Sequence, residues 1–179
     1  MKRIFTTLAL LLPLVLLTGC YDSPVPLSAP ALPVDARLPG NWIQTAPADA
    51  PNAYRLVIRK YSEREYLVLF SEGDASPSVA RGYLTDVSGV RMMNLQNIDS
   101  AEPKDRDFIF FRYDVEPGGG LRVRILSDDH PALHDRRFAT AAQLRAVVAR
   151  HLKEDNLFGP PLVFTPAPDV GLALARKEK

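Results

Sequence analysis

The chain has 179 residues, 46% hydrophobic and 24% charged, and its 22 basic residues nearly balance 21 acidic ones for a formal net charge of +1. That balance excludes the strongly basic surface a nucleic-acid partner requires, so no nucleic acid is expected among its partners. A single cysteine excludes an internal disulfide, and the length suits one domain stabilised by packing alone.

Residues 1–19 have the parts of an export signal: Lys2 and Arg3, an apolar stretch from Ile4 to Leu17, and small residues before a cleavage point. With Pro13 inside it, the stretch is too short for a membrane-spanning helix, which needs about 18–20 apolar residues. Its end, Leu17-Thr18-Gly19-Cys20, resembles at every position the lipobox of bacterial lipoproteins. The resemblance implies cleavage between Gly19 and Cys20, a diacylglycerol on the Cys20 sulfur and an acyl chain such as palmitate on the new amine. No other cofactor is expected. Each buried methylene contributes about 0.8 kcal/mol, so two or three acyl chains make a durable membrane anchor. Tyr21 stands where lipoproteins retained in the inner membrane commonly carry Asp, which favours the periplasmic face of the outer membrane. Without residues 1–19 the chain carries 20 basic residues against 21 acidic ones and is close to neutral.

Residues 20–39 contain Pro24, Pro26, Pro30, Pro33 and Pro39. Such a run favours extended conformations at about 3.1 Å per residue, and reads as a lipidated tether reaching up to roughly 50 Å from the membrane. A single β-rich domain is expected over residues 40–169. Tyr54 to Tyr61 alternates like a half-buried strand, and Glu65 to Phe70 is a short apolar run, with a hairpin between them. Val79 to Val87 and Val90 to Ile98 form a second pair about Ser88-Gly89. Phe108 to Glu116 and Leu121 to Leu126 form a third about Pro117-Gly118-Gly119-Gly120. The runs Leu67–Phe70 and Phe108–Phe111 are expected to be covered on both faces, by a helix on one side and packed side chains on the other.

The helix follows. Leu144, Val147, Val148, His151 and Leu152 share one face, and Thr140 with Gln143 forms a capping box, so a helix is expected over 140–153. Asp128 or Asp129 is expected to cap a turn near Pro131. Leu162 to Thr165, bracketed by prolines, reads as an edge strand or extended segment. Residues 170–179 form a charged tail.

Gly40-Asn41-Trp42 opens the first strand and resembles the Gly-x-Trp signature of lipocalins and related calycin barrels. The resemblance implies a tight entry at the glycine and a tryptophan closing the barrel floor. The succession of a Trp-bearing strand, hairpins and a capped helix is also similar to small bacterial envelope proteins of uncharacterised function. The expected fold is mainly β (α+β), an antiparallel meander forming a lipocalin-like barrel or half-barrel with a C-terminal helix packed on it.

Catalytic patterns are lacking. No Gly-x-Ser-x-Gly elbow occurs, Gly118-Gly119-Gly120 is not followed by the Lys-Ser/Thr of a phosphate loop, and no thiol is left for a nucleophile once Cys20 is lipidated. His130 and His134, with Asp128, Asp129 and Asp135 nearby, read as a solvated capping loop and not a metal site, because Pro131 prevents a helix from aligning them. His151 is expected at the core margin with a backbone partner. The chain is therefore read as a non-enzyme. Trp42, Tyr66, Phe70, Tyr83, Phe108 and Phe110 are the candidates for lining a ligand site or the core, and most are expected to fill a solid core that leaves only a small pocket. The functional expectation is a lipid-anchored envelope lipoprotein whose β domain binds a small apolar ligand or a partner. The alternative is a structural or assembly accessory of an envelope protein complex, with Arg55, Arg59, Arg122 and Arg124 marking a polar strand face.

Overall fold

A computed structural model describes residues 19–45, 53–73, 75–99, 102 and 106–168. The export segment through residue 18 and the tail from residue 170 lie outside them. The strands are β1 (Asp22–Ser23), β2 (Gly40–Gln44), β3 (Tyr54–Lys60), β4 (Glu65–Glu72), β5 (Ser78–Val87), β6 (Val90–Asn97), β7 (Phe108–Val115), β8 (Leu121–Ile125) and β9 (Leu162–Pro166), with one helix, α1 (Ala141–His151). Strands β2 to β8 form an antiparallel meander, and β9 enters between β8 and β2 to close an eight-stranded barrel. The short extra strand β1 pairs with the start of β7. Among the described residues no helix is long and apolar enough to cross a membrane.

Turn chemistry fixes the hairpins. Ser88 and Gly89 adopt φ of 52° and 86°, as a two-residue hairpin demands, and the Asp86 carboxylate accepts the Gly89 N–H at 3.0 Å. At the β7–β8 turn the Gly119 N–H donates to the Glu116 carbonyl at 2.9 Å, with Gly119 at φ 83°. Helix α1 starts where the capping pattern places it: the Gln143 N–H donates to Thr140 Oγ1 at 3.3 Å, and Gln143 Oε1 accepts from the Ala139 N–H at 3.2 Å. The helix ends at His151, two residues before the expected limit.

Period-two alternation sorts the side chains into two cores. Trp42, Tyr66, Leu84, Tyr113 and Phe164 point into the barrel. Tyr83, Met92, Phe108 and Phe110 point outward and are covered by Tyr21, Leu27, Phe138 and the Leu144–Val148 face of α1. Tyr21 stacks on Phe110 at 6.3 Å between ring centroids.

Three expectations are corrected here. Residues 20–39 do not stand off the barrel as a tether: Tyr21, Leu27 and Leu38 are buried, and the Leu27 N–H donates to the buried Asn94 Oδ1 at 2.8 Å. Isolated apolar residues between prolines supply the anchor points that composition hides. Strand β9 is no edge. It pairs on both sides, because Pro160 and Pro161 precede the ladder and Pro166 occupies its last position. In the β7 run Phe108 and Phe110 are covered by the outer core as expected, but Ile109 and Phe111 face the barrel cavity instead of a solid layer of packed side chains; the outer face of β4 is uncovered, and Leu67 and Leu69 remain half-exposed.

Candidate functional site

The barrel is plugged at one end and open at the other. The plug begins with Trp42, whose Nε1–H donates to the Leu38 carbonyl at 3.0 Å, and Leu38 is itself buried beneath the barrel. Asp35 lies alongside. Its carboxylate accepts from Arg37 Nε at 2.9 Å, Arg37 Nη2 at 2.6 Å and the Tyr113 hydroxyl at 3.3 Å, while the Tyr66 hydroxyl donates to its carbonyl at 3.3 Å. Hydrogen bonds from Arg37 hold the Asp35 carboxyl down at about 2. Burial raises the Tyr66 hydroxyl far above its ordinary value and pushes Tyr113 up to about 12. The floor is thus an apolar layer backed by a satisfied polar network.

Above this floor lies a cavity of about 740 Å³. That volume falls within the roughly 300–1,000 Å³ of small-molecule sites and exceeds the small pocket expected from the sequence, although most of the candidate aromatics do fill packed core as expected. Leu56, Val68, Leu95, Phe111 and Val123 form its walls, one or more from each of five strands. At the mouth Tyr54 and Phe70 stack at 5.2 Å, and Ser78, Asn97, Asp22, Asp107 and Arg137 add a polar rim. Arg137 spans the two acids, with Nη1 3.0 Å from Asp107 and Nη2 3.5 Å from Asp22. Partial burial, then the neighbouring Asp107, raises the Asp22 carboxyl. The arrangement suits an amphiphile, with an apolar body in the barrel and a polar group at the rim.

The sequence-derived candidates divide by strand face. Phe70 lines the cavity, and Trp42 and Tyr66 lie in the plug. Tyr83, Phe108 and Phe110 belong to the outer core. Cys20 and Gly19 also line the mouth. Cys20 is bridged to Ser127, and burial raises its thiol above the ordinary value. Of the four arginines read as a polar face, Arg124 is a clasp: it donates to the carbonyls of Gly159 at 3.0 Å, Asp155 at 2.8 Å and Phe158 at 3.1 Å. Arg122 pairs with Glu116 at 2.7 Å.

The histidines sort differently from their sequence spacing. His134 is exposed and bonds the Asp128 carbonyl at 3.2 Å, away from any shared centre with His130. Among the described residues, the group whose donor atoms converge, within 4.8 Å, is His130, His151 and Glu154. His151 thus has a side-chain partner, with Nδ1 2.7 Å from Glu154 Oε1, where a backbone partner is expected from sequence. His130 is buried, and its Nδ1 accepts the Ala132 N–H at 3.2 Å. That bond puts the ring proton on Nε2, which donates to Glu154 Oε2 at 3.0 Å. A metal on Nε2 would force the proton onto Nδ1, against the Ala132 N–H, so the donor set fits a hydrogen-bonded clamp better than a metal centre. The two histidines hold the Glu154 carboxyl below its usual range, His130 contributing most. The turn at residues 128–135 is capped by Ser127 Oγ, which accepts the Asp129 N–H at 3.2 Å, and by His130, in place of the expected aspartates.

Nothing in a scan of protein-family models, a search of curated proteins or a search of solved structures matches this chain.

Proposed function

We propose that this chain is a lipid-anchored envelope lipoprotein, acylated at Cys20, whose barrel holds a small apolar or amphiphilic ligand and performs no catalysis. The observation that carries the binding role is the apolar cavity of about 740 Å³ above a sealed floor. An eight-stranded barrel is just wide enough to be filled or to hold one small ligand, and here side chains fill only the lower part. The lipobox pattern at residues 17–20 supports the anchor, and Tyr21 after the cysteine favours the outer membrane.

Binding is tested with N-phenyl-1-naphthylamine on the Cys20→Ser protein beginning at residue 20, since a domain begun at Pro39 would lose the buried Tyr21, Leu27 and Leu38. Saturable uptake at one dye per chain, with a melting temperature that rises once the dye exceeds its Kd, is the expected result. Uptake that never saturates refutes a bounded site. Saturation failing while crosslinking in cells captures an envelope protein would transfer support to the accessory role. The anchor is tested separately by metabolic labelling with a palmitate analogue. Cys20→Ser should abolish the label, and equal label in both proteins would remove the lipoprotein assignment.

A further inference from the structure

The segment carrying Cys20 has no slack. After removal of Gly19 the Tyr21 N–H still donates to the Leu126 carbonyl at 2.9 Å, so Cys20 stands one residue from a fixed point of the backbone. Tyr21 is buried, and its hydroxyl donates to the Arg136 carbonyl at 2.9 Å. Cys20 is therefore part of the barrel rim, where it lines the cavity mouth.

Two further features mark the same end. Phe70, in the last part of β4, and Ile98, directly after β6, are each 38% exposed, and both lie at the strand ends around the mouth. They set apolar surface at the strand ends that surround an apolar cavity. Tyr54, stacked on Phe70, adds the amphipathic aromatic that favours a membrane–water interface. At the plugged end, the large exposed apolar residue among those described is Tyr61, in a polar hairpin with Lys60 paired to Glu63 at 2.6 Å.

We infer that the cavity mouth rests on the lipid bilayer, and that the ligand enters from the bilayer as the acyl chain of a membrane lipid. The inference rests on the acylation of Cys20 proposed above. Lipid chains attached to a sulfur fixed in the rim enter the membrane beside the mouth. With no flexible spacer between sulfur and barrel, the open end is drawn onto the surface that holds the chains. Phe70 and Ile98 then sit in the interfacial layer, and an acyl chain passes into the cavity without crossing water.

The test uses the full chain purified with its native modification and reconstituted into phosphatidylethanolamine–phosphatidylglycerol vesicles. Acylation consumes the Cys20 thiol, so Ile98→Cys and Tyr61→Cys each present one thiol for a nitroxide label, and both positions are exposed enough to accept it. The label at 98 should collide with oxygen severalfold more often, relative to a water-soluble nickel chelate, than the label at 61. Equal, water-like accessibility at both positions overturns the orientation. The mass of the N-terminal peptide is read on the same samples. An unmodified Cys20 refutes the acylation and the orientation with it, whereas an acylated Cys20 with a water-exposed rim refutes the orientation alone.

Discussion

Filling the cavity from its walls separates a bounded interior site from adventitious dye binding. Ala80 on β5 and Val123 on β8 both line the cavity, and each can be replaced by Phe. A void of about 150 Å³ accommodates benzene, so each added ring occupies about a fifth of the 740 Å³ available, and the pair about two-fifths. In a filled core such enlargements cost about 1–3 kcal/mol each. Here they enter free volume, so the melting temperature of Ala80→Phe/Val123→Phe should stay within about 4 °C of the parent, equivalent to about 1 kcal/mol for a domain of this size. Dye affinity should fall at least about tenfold, or about 1.4 kcal/mol. Leu67→Phe, on the uncovered outer face of β4, should leave affinity unchanged. Titration by fluorescence and melting by circular dichroism give both numbers. A folded double variant with parental affinity would place the dye outside the barrel, and a loss of several kcal/mol in stability would mean that the interior is already filled.

Two predictions concern the plug. Trp42→Ala should destabilise the fold by about 3–5 kcal/mol in urea unfolding, because it empties a buried site and leaves the Leu38 carbonyl without its indole donor; a loss below about 1 kcal/mol would show that the floor does not depend on this residue. The Asp35 carboxyl titrates at about 2, below its ordinary 3.8, so its contribution is complete above the unfolded value and is lost as pH falls from about 4 through 2. The depression is worth at most about 2 kcal/mol once the 60% exposure of its partner Arg37 is allowed for, and Asp35→Asn should flatten stability against pH in that window; an unchanged slope in the variant would place the acid sensitivity elsewhere.

The parts of the fold that were legible are those encoded locally. Ser88-Gly89, the glycines after Pro117 and the Thr140–Gln143 pair each dictate a backbone geometry within four residues, and each hairpin or helix start lies where that chemistry puts it. Gly40-Asn41-Trp42 likewise marked the barrel floor. The cavity was not legible, because alternation says that Leu56 and Val123 face inward but not how far apart opposite walls stand. Residues 20–39, which run along the barrel as a strap, are hidden for another reason: Tyr21, Leu27 and Leu38 follow no period, and the prolines among them read as a chain with nothing to pack on. β9 reads as an edge because prolines bracket it, although only Pro166 enters the ladder, at its end. The Glu154 clamp joins residues 24 positions apart through a turn that no periodicity announces.

The closure of the barrel by β9 also sets an order of assembly. Ile43 of β2 finds its second neighbour only when Thr165 arrives, more than a hundred residues later, so a chain emerging from its N-terminus carries an open strand edge for most of its length. Long-range pairings of this kind slow folding, and an unpaired edge invites association with other chains while it waits. The strap over the outer core has the same dependence, since Leu27 can dock only after β5 and β6 bring Asn94 into place. Folding therefore completes only once β9 is available, and a chain interrupted before β9 would leave β2 and β8 as two unsatisfied edges.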